Sequence, residues 1–222
     1  IRNFYSDQQT IIGIEADDVV ELNKIVKNDK MKIFNEIDDK IFNLILRKYY
    51  KKPNNQELIE KIKKRYGINI FIDHEYKIIR DMNDLLWVGR GSPFWGDPYR
   101  WILIKEIEDC TTPLNCLNIV QETFNLLDDS AYIEISSHND IQSYRHSYKN
   151  NYFIGGSYKY YEILKNDVKN DTIPIVGGPY ISYIYNNTNN SILIVGLVNN
   201  PGDDKMIYIK QFESIFRDIK NK

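Results

Sequence analysis

The chain of 222 residues contains few of the side chains that carry thiol or imidazole chemistry: two cysteines and three histidines. Neither cysteine has a further His or Cys at metal-ligand spacing, so no metal site is predicted. Cys110 and Cys116 are interpreted most simply as buried or free thiols, with a local disulfide as the alternative. His74, His138 and His146 have no Ser or Cys nucleophile that the sequence places beside them.

Long apolar runs and an excess of one charge are also missing. The longest apolar run covers 192–198, far short of the roughly 20 residues that span a bilayer. The formal net charge is -2 and the basic residues are spread along the chain, so we expect no nucleic-acid partner. No charged and apolar leader opens the sequence, which leaves a signal peptide either absent or removed.

Sequence motifs for catalysis are lacking as well. The chain has no glycine-rich phosphate loop, nucleophile elbow, paired-histidine helix or calcium loop, so no cofactor is predicted. Among the adjacent carboxylates, two pairs stand at predicted helix starts, Asp17 with Asp18 and Asp203 with Asp204. Each pair precedes a segment with helical periodicity, where a carboxylate stabilises the free amides of the first turn, so both are interpreted as helix starts.

The first part of the chain predicts a helix-rich, partial α/β region. A strand is predicted over 10–14, and Asp18 with Glu21 resembles a capping box that starts a helix. Apolar residues then recur at helical spacing over 30–50 until Pro53. We therefore place a domain boundary after residue 52.

The second part, 53–222, is predicted to be an α+β domain, an antiparallel sheet with packed helices. A helix capped by Asn55 and closed by Gly67 opens it. A polar stretch over 138–152 is predicted to be a long surface loop, and Gly177-Gly178-Pro179 a tight entry into the last hairpin. The remaining predicted segments are strands over 68–73, 76–80, 85–89, 101–108, 132–136, 157–164, 180–185 and 192–198, and helices that begin near Pro113 and Asp203.

One segment, Gly89 to Trp101, concentrates glycine, proline and large aromatic residues between two predicted strands. Its aromatic residues either fold back over one end of the sheet or form a contact surface for a partner. Trp, Tyr and Arg are the residues that most often anchor interfaces. The candidate binding residues are Arg90, Phe94, Trp95, Tyr99, Arg100 and Trp101.

Four segments resemble a family of predicted exported lipoproteins from the Bacteroidetes, classified only as a domain of unknown function. They are ELIEKIKKRYGINI over 57–70, LWVGR over 86–90, GGPYISY over 177–183 and YIKQFESI over 208–215. The resemblance implies a lipid-attachment signal and a further strand–helix region ahead of this chain, which we therefore expect to be a fragment. From Ile68 onward the chain is also similar to the extrinsic P protein of photosystem II, a likeness of fold that says little about function.

The resemblance supplies no catalytic residues to carry over. It implies a periplasmic or cell-surface location, with membrane contact only through a lipid anchor in the full-length protein. The sequence therefore favours a non-catalytic binding or assembly module whose partner is an envelope protein or cell-wall component. The alternative is a carboxylate-dependent hydrolase of cell-wall or polysaccharide material, which would need two carboxyl groups brought together by the fold.

Overall fold

The structure is a computed structural model that describes residues 12–92, 96–108, 113–127, 131–135, 145–148, 151–165, 170–186 and 191–221. The backbone divides into two compact units, 1–51 and 52–222. This division lies one residue from the predicted boundary. That the two parts are independent domains stays a prediction.

The first unit contains one long helix, α1, Val19–Tyr49. Its start is the predicted one: the Asp18 side chain accepts a hydrogen bond from the Glu21 N–H at 2.7 Å, and the Glu21 carboxylate accepts one from the Asp17 N–H at 2.7 Å. The Glu21 amide, one of the free amides of the first turn, is thereby satisfied, as is the Asp17 amide just ahead of the N-cap.

Residues 12–16, ahead of this helix, form neither helix nor strand. The strand predicted over 10–14 is therefore wrong within its described part. A strand persists only where a neighbouring strand accepts its backbone hydrogen bonds, and the described residues of this unit offer none.

The second unit holds three helices and ten strands among its described residues. The helices are α2 (Gln56–Tyr66), α3 (Pro113–Asn125) and α4 (Met206–Arg217). The strands are β1 (Ile68–Asn69), β2 (Lys77–Asp81), β3 (Leu85–Ser92), β4 (Asp97–Ile107), β5 (Ala131–Ile135), β6 (Arg145–Tyr148), β7 (Asn151–Lys165), β8 (Asn170–Asn186), β9 (Ser191–Asn199) and β10 (Lys220–Asn221).

Local sequence explains the first of these helices. The Asn55 side chain accepts a hydrogen bond from the Leu58 N–H at 3.1 Å, and Gly67 closes the last turn in the left-handed conformation at φ 69°. Leu58, Ile62 and Tyr66 are buried on one side of the helix. The prediction of this helix and of both its caps is confirmed.

Eight strands form one antiparallel sheet in the order β2-β3-β4-β9-β8-β7-β5, and β6 pairs with β7 beside β5. β1 and β10 form a separate two-stranded sheet. Every residue of β9 is buried, because β9 lies in the middle of the sheet between β4 and β8. The predicted fold class, α+β with an antiparallel sheet and packed helices, is confirmed.

The two faces of this sheet are covered by different helices. On one face, the α3 face, the ring of Phe124 packs edge-on against Tyr158 and Tyr180, with centroids 6.3 and 5.6 Å away. On the opposite face, the α4 face, the ring of Phe212 lies over Gly196, whose Cβ would meet that ring at 2.6 Å. Alternate residues of the central strands, such as Gly196 and Leu197 of β9, therefore face two separate cores.

Two predicted loops are strands. β6 and the first residues of β7 lie within 138–152, so the prediction of one long loop there is wrong for 145–148 and 151–152. Gly177-Gly178-Pro179 is part of β8 and not a turn. A Cβ on Gly178 would stand 2.0 Å from the Val198 carbonyl oxygen, so this glycine permits close approach of a neighbouring backbone.

The preferred interpretation of the cysteines was also wrong. Cys116, in α3, is buried and disulfide-bonded. The other cysteine of the chain, Cys110, lies outside the described residues.

Within the described ranges, no helix combines the length and the low polarity needed to cross a bilayer.

Candidate functional site

The β3–β4 hairpin, which carries the predicted site, is shaped by two glycines. Ser92 pairs with Asp97 at its end, and Gly91 and Gly96 have φ of 114° and 73°, values that side chains rarely adopt. A Cβ on Gly91 would also stand 2.1 Å from the Pro98 carbonyl oxygen. The hairpin therefore requires glycine at this position for both conformation and space.

Two arginines lie directly opposite each other at the base of this hairpin. Arg90 of β3 and Arg100 of β4 are register partners, and their side chains are only 5% and 6% exposed. Like charges in this arrangement repel. Asp97 neutralises both: one carboxylate oxygen lies 3.3 Å from Arg90 Nη2 and the other contacts Arg100 Nη2. One carboxylate thus links the two strands across the base of the hairpin.

Two further carboxylates converge on Arg90. Asp73 Oδ2, fully buried, lies 2.6 Å from Arg90 Nη1, and Glu75 Oε2 contacts the same nitrogen. Burial lowers the pKa of Arg90, but Asp73, Asp97 and Glu75 together outweigh burial and raise it. Arg90, Arg100, Asp73, Glu75 and Asp97 form what we call the arginine cluster.

Tyrosine rings enclose the arginine cluster. The guanidinium carbon of Arg100 lies 5.1 Å from the centroid of Tyr208, in α4, and that of Arg90 lies 6.0 Å from the centroid of Tyr76. Burial raises the pKa of Tyr76 above its ordinary value. Because Val198, the register partner of Arg100, is on the same side of β9 as Gly196, the arginine cluster belongs to the α4 face.

Aromatic residues occupy the other face of the same strands. Trp87, Tyr99 and Trp101 are half-buried; the rings of Trp87 and Trp101 meet edge-on at 5.2 Å, and those of Tyr99 and Trp101 lie 6.0 Å apart. Gly89 leaves room for this packing, since a Cβ there would stand 2.6 Å from Trp101 Cδ1. We call these three residues the aromatic cluster; it lies on the α3 face.

The structure thus separates the predicted binding residues. Arg90 and Arg100 are buried on the α4 face, whereas Tyr99 and Trp101 are partly exposed on the α3 face. Phe94 and Trp95 lie outside the described residues. That any of these residues binds a partner stays a prediction.

Sequence reasoning missed Trp87 and the carboxylates Asp73, Glu75 and Asp97. The sequence did contain a signal for Trp87. It is two residues from Gly89, so both are on the same face of the strand, the face on which Trp101 packs. Asp73 and Glu75 had none, because no local pattern links them to Arg90.

The arrangement does not provide free acid–base groups. Asp73, Glu75 and Asp97 are engaged in ion pairs with arginine, so the hydrolase alternative gains no support from these carboxylates. In the part of the chain that the structure describes, no group of three or more His, Cys, Asp or Glu side chains is placed to hold a metal ion.

Several solved structures resemble the chain weakly. LpqN of Mycobacterium tuberculosis, described as involved in cell envelope biogenesis, is 6% identical with a TM-score of 0.35, over 69% of this chain and 82% of that one. Human STARD10 is 9% identical with a TM-score of 0.29, over 74% of each chain. The human StarD13 (DLC2) lipid transfer and protein localization domain is 13% identical with a TM-score of 0.27, over 73% of this chain and 92% of that one. At these scores the likenesses have no bearing on function.

No curated protein matches the sequence. A family model does match, over residues 55–218, which is most of the chain and includes the whole β3–β4 hairpin. The chain belongs to the family described as Domain of unknown function (DUF4837).

Proposed function

We propose that the chain is a non-catalytic binding or assembly module of the cell envelope, and that it contacts its partner through the β3–β4 hairpin and the aromatic cluster. The observation that carries this proposal is the placement of Trp87, Tyr99 and Trp101 side by side, partly exposed, on strands whose geometry is fixed from the other face. Aromatic side chains held in this way lose little conformational entropy on binding.

The arginine cluster supports the proposal indirectly. Because Asp97 links Arg90 to Arg100 beneath the hairpin, the strands that carry Tyr99 and Trp101 are held in one arrangement before any partner arrives. Arg90 and Arg100 therefore position the contact surface and do not form it.

The disulfide at Cys116 supports a location outside the cytosol. Disulfides persist in oxidising compartments and are rare where thiols are kept reduced. A periplasmic or cell-surface module, lipid-anchored in a longer protein, is consistent with this bond. A fractionation experiment tests it: the protein is expected in the envelope fraction, and recovery in the cytosol would contradict the proposal.

Capture from solubilised cell envelopes tests the binding surface. The Tyr99→Ala variant is expected to lower the melting temperature by at most about 4 °C and to lose about tenfold or more of the captured partner, since exposed aromatic anchors dominate interface energies. Tyr132→Ala is the matched control, because Tyr132 is a 40% exposed tyrosine on β5, the strand at the other end of the sheet from β2 and β3. Equal capture by wild type and Tyr99→Ala would contradict the proposal.

The hairpin segment between β3 and β4 gives a second test. Trp95→Ala is expected to weaken capture by ~2 kcal/mol or more while the melting temperature stays nearly constant. A loss of ~3 to 5 kcal/mol in folding stability would show instead that Trp95 is a core residue.

A further inference from the structure

An apolar stripe runs along α1, the helix of the first unit. Its members recur at helical spacing, so they lie along one side of the helix, with one lysine among them. We call the following seven residues the α1 stripe: Leu22, Val26, Lys30, Ile33, Ile37, Ile41 and Leu44. Val26, Ile37 and Ile41, together with the adjoining Phe34, are each between 42% and 52% exposed.

The described residues of the first unit hold no second element that could cover the α1 stripe. Residues 12–16 form neither helix nor strand, and α1 occupies nearly all of the rest. An amphipathic helix draws most of its stability from the packing of its apolar side. The α1 stripe is therefore a surface that requires an occupant.

The α1 stripe has nearly the same spacing in both directions from Ile33. Its residues stand 3, 7 and 11 positions before Ile33, and 4, 8 and 11 positions after it. A second copy that runs antiparallel and is centred near Ile33 therefore brings Leu22 opposite Leu44. The same arrangement brings Val26 opposite Ile41, so each copy covers the stripe of the other.

Lys30 determines the orientation of the second copy. In a parallel pair that is in register, every residue faces its own counterpart, so two ammonium groups would meet inside the apolar contact. In the antiparallel pair, Lys30 faces Ile37 of the second copy and has the carboxylate of Glu36 within reach. A polar residue inside an apolar seam fixes register in this way at some cost in stability.

Charges that border the α1 stripe also match an antiparallel pair. Asp29 stands four residues before Ile33 and Lys40 stands seven after it, so both lie on the same border of the stripe. The antiparallel arrangement brings Asp29 of one copy near Lys40 of the other. Twofold symmetry makes this pair, like that of Lys30 with Glu36, occur twice. A lipid surface fits less well, because membrane-surface helices carry mainly Lys and Arg beside their apolar side.

The area of the α1 stripe is close to what a reversible dimer needs. From Leu22 to Leu44 the stripe is about 33 Å long, at a rise of about 1.5 Å per residue. Covering its half-exposed side chains and their borders removes on the order of 600 Å² per copy, or about 1,200 Å² in total, which is the lower end of specific interfaces. A dimer of this size dissociates on dilution.

We propose that two copies of the chain associate through their α1 helices, antiparallel and centred near Ile33. The inference goes beyond the proposed function, which concerns the β3–β4 hairpin of the second unit. In such a dimer two aromatic clusters belong to one particle, which increases avidity for a partner that offers more than one binding point.

Analytical ultracentrifugation of the full 222-residue chain tests the association. We expect dimers at a concentration of about 100 µM and monomers on dilution to the low micromolar range. A chain that stays monomeric at the higher concentration would overturn the inference.

Two matched substitutions locate the contact on α1. Ile41→Glu places a charge inside the α1 stripe and is expected to weaken dimerisation at least about tenfold, since the charge is buried without a partner. Met31→Glu is the control, because Met31 is an exposed apolar residue of the same helix that lies outside the stripe. Melting temperatures are measured for both variants. Equal effects of the two substitutions on dimerisation would exclude the α1 stripe as the interface.

Charge exchange tests the pairing of Lys30 with Glu36. Lys30→Glu and Glu36→Lys, each made alone, bring like charges together and are expected to weaken the dimer about fivefold. The double variant restores opposite charges and is expected to dimerise like the wild type. Single variants without effect, or a double variant as weak as the single ones, would contradict this arrangement.

Disulfide cross-linking tests the orientation. In the antiparallel pair Ile33 lies opposite its own counterpart, so Ile33→Cys is expected to form a covalent dimer under mild oxidation. Leu22→Cys is expected to remain unlinked, because Leu22 faces Leu44 of the second copy. Linking of Leu22→Cys as fast as that of Ile33→Cys would mean a parallel pair and would overturn the proposal, as would an Ile33→Cys variant that does not link.

Vesicles of phosphatidylcholine and phosphatidylglycerol test the competing occupant. A chain that is monomeric in solution and binds these vesicles through the α1 stripe, with binding abolished by Ile41→Glu, would assign the stripe to a lipid surface and overturn the proposal. Tyr99→Ala keeps the two proposals separate, since it is expected to lose envelope capture and to dimerise like the wild type. A dimer abolished by Tyr99→Ala would place the interface on the second unit and would also overturn the inference.

Discussion

The two faces of the β3–β4 hairpin use the same strands for opposite purposes. On the α4 face, Arg90 and Arg100 are charged, buried and ion-paired. On the α3 face, Trp101, which follows Arg100 directly, is aromatic and partly exposed, as are its neighbours Trp87 and Tyr99. The charged face is inside and the apolar face is partly outside, the reverse of the usual arrangement. In our proposal, the buried charges fix the shape of the hairpin and the partly exposed rings form the surface that contacts the partner.

Removing a buried charge is the strongest way to break this comparison. Arg90→Ala removes the buried partner of Asp73 and leaves that buried carboxylate only the more distant Lys52, whose Nζ is 3.9 Å away, so we expect it to lower the free energy of unfolding by about 3–5 kcal/mol. Urea denaturation measures the loss. Lys105→Ala is the control, because Lys105 Nζ and Asp84 Oδ2 are 3.7 Å apart at the surface and such pairs contribute at most about 1 kcal/mol. Similar effects of the two variants would mean that the arginine cluster does not hold the hairpin.

A smaller effect is expected on the aromatic face. In Gly89→Ala the new Cβ meets Ile79 and Trp101, whose side chains must move, at a cost of about 1–3 kcal/mol. Denaturation followed by tryptophan fluorescence measures both the cost and the rearrangement. Gly13→Ala is the comparison, since a Cβ at Gly13 meets nothing within 4 Å. An unchanged tryptophan emission in Gly89→Ala would show that the aromatic cluster does not depend on this glycine.

The smallest change in stability is expected at Tyr99. Its ring is half-buried at the margin of the aromatic cluster, so Tyr99→Ala should lower the free energy of unfolding by about 1 kcal/mol or less. Thermal and urea denaturation check this value. A loss as large as that of Arg90→Ala would remove the difference between the two faces and make Tyr99 a core residue.

The sequence predicted best those elements that local signals define. The caps of α2, Asn55 and Gly67, act within a few residues of the helix ends, and both were identified correctly. The lengths of β7 and β8 were underestimated, because pairing such as that of Tyr152 with Ile184 joins residues far apart in the chain. Backbone pairing of this kind includes polar residues that intrinsic strand preference does not favour.

The candidate site shows the same limit. Composition singled out the segment from Gly89 to Trp101, but it did not indicate that Arg90 is buried, because Asp73 lies 17 residues away. Glycines were misinterpreted for a related reason. Gly178 suggested a turn, whereas its role is to accommodate the Val198 carbonyl of the next strand, which only the folded sheet brings near.

The order of strands also has a consequence for how the chain folds. β2, β3 and β4 are consecutive in the sequence, as are β7, β8 and β9, so each group can assemble through short connections. The contact between β4 and β9 joins residues as distant as Tyr99 and Asn199, and closing so long a loop is slow. Until that contact forms, β9 exposes an almost wholly apolar edge, SILIVGLVN. We therefore expect intermolecular pairing of β9 in the incompletely folded chain to be the main route to aggregation.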